Sequence, residues 1–464
     1  MNKAVVDRRR VIFAMAVPIM VQSVVQHVMI LFDRGFLGNL DARYLAAVGN
    51  VMPIFNMFMF FTFSMGTGLT VLVAQNIGAR EYKKAQRFGE SAFFFFSVLS
   101  VILFLIWFFG AESIFTLFGA TGDILSFASR YAHILSFLFL FLGLDVTAAG
   151  ILQGIGITRP IMIFGVAKSL INIVLDWALI FGRLGLPAMG LEGAALATVI
   201  ASAIGAVGIL VTSLVMRGLP FHLSKRALIR PDWHYFQHIF RVGLPSGLEG
   251  FLWSSGQLVI VYFLNQIDGM AIGVYSLVIG IQILSLFVYQ GFAKSAMTLV
   301  GQRWGEGDRK AALDTALHCQ RLSLMVSVAC GLIFVAFPAF LAGLFTRDPD
   351  VVARAVPLLR LGGVYIQFQA VNIIMGHAIR GTGDTKWMMY SQIFGTVFVI
   401  GVSYLLIFQA GLGLVGMYLT MIMDELIRGA VNTTRFLTGR NPFRRRAVAA
   451  AEADISLISE DPPA

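Results

Sequence analysis

Charge is what this sequence has least of. Asp, Glu, Lys and Arg make up 13% of its 464 residues, whereas ordinary soluble domains run at roughly a quarter. A chain so poor in charge cannot clothe the surface of a soluble protein of this size. Cysteine is also scarce. Cys319 and Cys330 are the two present, and in one helix they would stand roughly 16 Å apart along the axis at about 1.5 Å per residue, too far for a disulfide. They imply neither an oxidising compartment nor a metal site. No HExxH or GxSxG signature stands in the apolar runs, which sets an intramembrane enzyme aside. The start, MNKAVVDRRRV, runs straight into an apolar segment without a small-residue cleavage site, so a retained first helix is expected.

Apolar residues fill the space that charge leaves: 58% of the chain is hydrophobic. A membrane span needs about 20 mainly apolar residues to cross about 30 Å of hydrocarbon. Such runs recur near 11–37, 45–75, 89–112, 127–152, 159–182, 188–216, 238–264, 270–301, 318–345, 355–378, 387–409 and 412–436. The pattern predicts an all-α membrane protein with twelve transmembrane helices. The net charge of +10 does not point to nucleic acid, because the bases sit in short segments between apolar runs. Arg8 to Arg10, Arg80, Lys83, Lys84 and Arg87, then Arg217, Lys225, Arg226 and Arg230, then Arg303, Arg309 and Lys310, and finally Arg440 and Arg444 to Arg446 all fall on one side of twelve spans. The positive-inside bias makes that side the cytoplasm, with both termini there, in the cell's inner (plasma) membrane. The polar, Ala-rich stretch 441–464 is expected to be a disordered cytoplasmic tail.

One internal offset recurs. Pro18 matches Pro245, Asp41 matches Asp268, Gln75 matches Gln302, Gly78 matches Gly305, Gly154 matches Gly381 and Phe181 matches Phe408, every pair 227 residues apart. After one loop the offset becomes 223, as Gly190 with Gly413 and Gly193 with Gly416 show. The chain therefore reads as an N-lobe over 1–216, a cytoplasmic linker over 217–237 and a C-lobe over 238–440. Each half holds an even number of spans, so the two six-helix lobes are pseudo-symmetric about an axis along the membrane normal.

Ionisable groups inside a bilayer are costly and are the first candidates for function. Asp33 lies late in helix 1, Asn172 and Asp176 one turn apart in helix 5, and Thr198 about ten residues into helix 6. Counting along the helices puts all four at similar height in the outer half of the membrane. Two carboxylates with an amide and a hydroxyl supply hard oxygen ligands for a cation, or a pair that shares a proton. The 227 offset maps Asp33, Asn172 and Asp176 onto Ile260, Val399 and Ser403, and the 223 offset maps Thr198 onto Met421. The scaffold is repeated and the polar cluster is not, which favours a dedicated function over a hydrogen-bond network that merely joins helices.

Other residues carry weaker signals. Pro18, Gln22, Gln26 and Asp33 share one stripe of helix 1, where the proline can kink the helix or simply pack. Lys168 lies on the helix 5 stripe, with Asp145 as a candidate partner. Glu249 and Lys294 stand deep in the second half, either paired or facing substrate. Asp424, Glu425 and Arg428 read as a solvated interface. His234 and His238 have metal-ligand spacing but no third ligand.

The strings AVPIMVQSVVQHVMILFDRGFLG, VAQNIGAREYKKA with its copy LVGQRWGEGDRKA, LQGIGITRP with its copy IRGTGDTKW, and NIVLDWALIFG resemble the multidrug and toxic compound extrusion (MATE) transporters. The resemblance covers nearly the whole chain. It implies two six-helix lobes in a V and export of small organic substrates, with cationic ones suited to the apolar surfaces and few carboxylates, in exchange for H⁺ or Na⁺. It implies an N-lobe cation site at Asp33, Asn172, Asp176 and Thr198, with Gln26 beside that cavity; Pro18, Lys168 and Glu249 join the candidates for cavity and gating. It implies no cofactor beyond the coupling ion, no resident metal, no nucleic acid, and a monomer in the bilayer. Gln369 stands where the NorM-like branch has an acid in helix 10, and Glu249 does not match that branch's helix 7 acid, so the pattern is closer to the DinF-like branch. The rival expectation is a flippase of lipid-linked or other amphiphilic substrates, whose cavity would carry many bases.

Overall fold

The computed structural model describes residues 3–38, 40–224 and 232–439. Among them the regular elements are helices: α1 (Lys3–Gly38), α2 (Ala42–Gly78), α3 (Tyr82–Leu117), α4 (Gly122–Ile155), α5 (Arg159–Phe181), α6 (Gly190–Val215), α7 (Trp233–Asn265), α8 (Ala271–Gly305), α9 (Arg309–Ala336), the short α10 (Pro338–Gly343), α11 (Pro349–Gly381), α12 (Thr385–Tyr404) and α13 (Gly413–Thr438). A π-helical turn, Leu405–Gln409, prolongs α12. With no water in the hydrocarbon, each span must satisfy its backbone internally, and the helix does so. The turns between helices are built where the sequence supplies them. Gly156, at the end of α4, and Gly383, two residues beyond the end of α11, hold φ of 98° and 86°, the left-handed region that favours glycine, at matching places in the repeat.

Among the described residues eleven helices are long and apolar enough to cross a membrane. The twelfth crossing, α13, is 26 residues long but carries Asp424, Glu425 and Arg428 near its middle. These were expected at a solvated interface. They are instead buried, with Asp424 and Glu425 4% and 8% exposed, and they compensate one another inside the lobe. The helices also overrun the apolar segments: α7 begins at Trp233 rather than 238, and α9 at Arg309 rather than 318, because amphipathic first turns continue the helix beyond the hydrocarbon. The expected tail 441–464 lies outside the described residues.

Each lobe is organised around one helix. In the N-lobe α4 packs against α2, α3 and α6; in the C-lobe its repeat mate α11 packs against α8, α9 and α13. Aromatic residues fill the N-lobe core, where Trp107 sits against Phe55 and Phe139; Tyr289, Leu359, Ile366 and Tyr418 fill the C-lobe core. The loops opposite the chain ends repeat too. Asp41 and Asp268 cap α2 and α8 by accepting from the backbone N–H of Arg43 and Met270, and the Arg43 and Arg354 side chains hold their carboxyls below the usual range.

The lobes meet at the end of the bundle from which both chain ends emerge, here called the basic face. Ile12 and Ala16 of α1 share a cluster with Phe292, Ala293 and Ala296 of α8. The backbones of Gly68 in α2 and Gly243 in α7 come close enough that a Cβ on either would touch the other helix. On the far half of these helices Leu31 (α1), Met57 (α2), Leu258 and Tyr262 (α7) and Leu284 (α8) are exposed.

Candidate functional site

Helices α1, α5 and α6 position the N-lobe cluster. α1 runs unbroken through Pro18, which is buried. Gln22, one turn on, packs over Gly165 of α5, and this close approach carries the far end of α1 alongside α5. Asp33 and Asp176 then face each other across the two helices within hydrogen-bonding reach. Asp176 is fully buried and Asn172 is 1% exposed. The Asn172 amide donates to Asp176 Oδ2 at 2.9 Å, which leaves its own carbonyl oxygen available. Asp33 Oδ1 and Asp176 Oδ1 are buried and have no hydrogen-bond partner.

That last feature decides what the site can do. A buried acceptor without a donor costs free energy of about 1–3 kcal/mol, more when it is charged. Two such oxygens on facing carboxyls need a shared proton or a bound cation between them. The structure thus brings together three of the four residues singled out by spacing. Thr198 is half-buried on α6, and its hydroxyl donates to Ala194 O in its own helix at 3.0 Å, which leaves the oxygen's lone pairs available. Gln26 is exposed, on the cleft-bearing helix α1. Sequence reasoning missed Tyr131 of α4, which is buried and close enough to feel the charge of both carboxyls. It lies in an apolar helix with no polar stripe, so nothing in the local sequence marked it.

The remaining deep charges fall out differently from expectation. Lys168 and Asp145 are half-buried and form no ion pair among the described residues; the Lys168 stem instead packs over Gly205 of α6. Glu249 does not pair with Lys294. It is bound by Arg380 of α11, both side chains 13% exposed, a partner 131 residues away that no local spacing reveals. In α13, Arg428 binds Asp424 and lies 3.7 Å from Glu425, and it donates to Gln392 of α12 at 2.9 Å. Asn372 donates to Glu425 at 2.7 Å, and Asn432 in turn donates to Asn372 at 2.8 Å. The C-lobe acids Glu249, Asp424 and Glu425 are therefore compensated, whereas Asp33 and Asp176 face no cation, and Lys294 forms no ion pair among the described residues. Gln369, where an acid was sought, donates to the Tyr365 hydroxyl at 2.8 Å. His234 and His238 meet edge to face with ring centroids 4.6 Å apart, and among the described residues no group of three potential metal ligands forms.

Comparison with known proteins places this architecture. A MatE family model matches the chain twice, over residues 18–178 and 245–405, in the register of the internal repeat. A Thermotoga maritima relative named "Probable multidrug resistance protein NorM" is 29% identical over 452 residues, covering 97% of this chain and 96% of its own. The "Multidrug export protein MepA" of Staphylococcus saprophyticus is 25% identical over 420 residues, 89% of this chain and 90% of its own. A solved structure described as the "Outward-facing conformation of a multidrug resistance MATE family transporter of the MOP superfamily" matches with a TM-score of 0.86 at 24% identity, over 96% of this chain and 97% of that one, a likeness of fold. One family model found once in each lobe, on a two-lobed bundle of membrane helices, shows that the chain belongs to the MATE family, a family of transporters and not of enzymes.

Proposed function

We propose that this chain is a secondary active multidrug exporter that expels organic, cationic small molecules in exchange for H⁺ or Na⁺ by alternating access. Its relatives' names support multidrug export, and the single observation that carries the coupling is the Asp33–Asp176 pair. Each carboxyl holds one buried oxygen without a donor, and the repeat mates of both residues are uncharged. In this reading the basic face is cytoplasmic, the protein sits as a monomer in the inner membrane with both termini inside, and the V opens outwards. Asp33 and Asp176 take the ion, Asn172 orients Asp176, and Thr198 lends its hydroxyl once that turn of α6 moves. Gln26, Lys168 and the kink at Pro18 shape the N-lobe cavity and its gating. Glu249, held by Arg380, and the neutral Gln369 leave the C-lobe without a free acid, as in the DinF-like branch. A flippase for lipid-linked anions would call for many free deep cations; Arg380 and Arg428 are engaged by acids, which leaves Lys168 and Lys294 as the deep cations without an ion pair among the described residues.

The test is efflux of a fluorescent organic cation from cells lacking their own pumps, with pH and sodium gradients varied separately. Wild-type efflux should follow one of the two gradients, and Asp33→Asn and Asp176→Asn should each abolish it at matched expression. Efflux untouched by either substitution removes these acids from the mechanism.

A further inference from the structure

We infer that the groove between α7 and α12 on the basic face is a binding site for the head group of an anionic phospholipid. The groove encloses about 550 Å³. Its wall on α7 is formed by Trp233, Phe236, Phe240 and Leu244, at three- and four-residue spacing, with Gln237 and Arg241 one turn apart beside them; Pro245 lies at the end of this face and Lys386, the second residue of α12, also lines the groove.

At the level of the groove one contact of the repeat is missing. In the N-lobe the Thr158 hydroxyl, at the start of α5, donates to Met15 O of α1 at 3.1 Å and ties the two helices together at this level. The repeat mate of Thr158 is Thr385, and the mates of Ala14 and Met15 are Arg241 and Val242. Among the described residues Thr385 makes no bond to α7. The two helices are joined farther in, where the Thr396 hydroxyl of α12 donates to Leu252 O at 3.4 Å.

The chemistry of the opening selects the occupant. Arg241 and Lys386 are exposed and meet no acid among the described residues, whereas Lys84 and Arg303 on the same face are each held by a glutamate of their own helix end, Glu81 and Glu306. An arginine fork and an ammonium suit a phosphodiester, and the lack of any acid leaves nothing to hold the cationic end of a zwitterionic lipid. Trp233, 57% exposed, places an amphipathic ring at head-group level, and the Phe236, Phe240 and Pro245 surface accepts the first part of an acyl chain.

The test is native mass spectrometry of the full chain released from nanodiscs of phosphatidylcholine with one-fifth phosphatidylglycerol. Wild type is expected to retain phosphatidylglycerol over phosphatidylcholine. Two cations at about 1 kcal/mol each set the expected loss in Arg241→Gln/Lys386→Gln at about twenty- to thirtyfold in that preference. Lys83→Gln/Lys310→Gln, which removes two exposed bases elsewhere on the face, should keep it. Equal retention of both lipids by wild type, or an equal loss in the two double variants, overturns the proposal. A photoreactive phosphatidylglycerol gives a second reading on the unmodified protein. Crosslinks concentrated in residues 233–245 support the site, and crosslinks spread over the other helices overturn it.

Discussion

Gln75 and Gln302 are repeat mates, and each reaches across to the other lobe. The Gln75 amide donates to Gly381 O at 2.9 Å, and the Gln302 amide donates to Gly154 O at 3.0 Å and Ile155 O at 3.1 Å. Gly154 and Gly381 are themselves mates, so the closure of the basic face is one interaction made twice by the pseudo-twofold axis. Each glutamine also continues a helix end whose glycine lets the backbones touch.

These bonds bias the transporter towards the state seen here. Hydrogen bonds between membrane helices average about 0.6 kcal/mol, which is roughly a threefold change in an equilibrium. Gln75→Ala or Gln302→Ala should each raise the population open at the basic face about threefold, and the pair together about eightfold to ninefold. Spin-label distances between the two lobes at this face measure it. An unchanged distance distribution in the double variant would show that packing alone holds the closure.

Packing at the same place depends on Gly78 and Gly305. A Cβ on Gly78 would run into Gln302 O, and one on Gly305 into Gln75 O. These are backbone atoms that cannot swing aside, so Gly78→Ala should force the lobes apart at the basic face. The expected result is a larger inter-lobe distance than in either glutamine variant, with export reduced because the closed state is strained in every cycle. Normal export in Gly78→Ala would mean that this contact is made in only a minor state.

Much of this arrangement was legible in the sequence, and the limits are physical. Apolar runs gave the helices, and the 227-residue offset gave the two lobes, because a repeated scaffold leaves the same glycines and prolines at the same turns. Spacing along a helix gave the common depth of Asp33, Asn172 and Asp176. It put Thr198 at that depth as well, and the Thr198 hydroxyl donates to Ala194 O of its own helix. Partners distant in sequence were invisible: Glu249 finds Arg380 rather than Lys294, and Lys168 packs on Gly205 without Asp145. A charged stretch of α13 reads as solvent-exposed from composition alone, because compensation by Asn372 and Gln392 on other helices cannot be read from its own residues.

In the proposed exchange, Asn172 is predicted to act on the coupling ion through Asp176. Its amide hydrogen bond to Asp176 Oδ2 goes to a group that carries charge in one state of the cycle, and bonds of that kind contribute roughly 1.5–3 kcal/mol. Asn172→Ala should therefore shift the pH or sodium concentration at half-maximal efflux by about tenfold or more in ion activity, with the maximal rate less affected. Asn172→Gln, which lengthens the side chain and keeps the amide, should recover part of the shift. A lowered maximal rate with the midpoint unmoved would assign Asn172 to packing instead.

The C-lobe network is predicted to serve stability. Arg428 is the one guanidinium shared by Asp424 and Glu425, and its stem lies over Gly395 of α12. The N-lobe solves the same problem in reverse, since Lys168 and Gly205 are the mates of Gly395 and Arg428: a long cation fills the same gap from the opposite helix. Removing one partner of a buried ion pair leaves a charge without compensation and costs about 3–5 kcal/mol. Arg428→Gln should accordingly lower the thermal midpoint of the purified protein sharply. Arg428→Gln combined with Asp424→Asn and Glu425→Gln should recover most of the loss, because no buried charge is then left alone. If the triple variant is as unstable as the single one, the packing of the arginine stem over Gly395, and not its charge, is what joins α12 to α13.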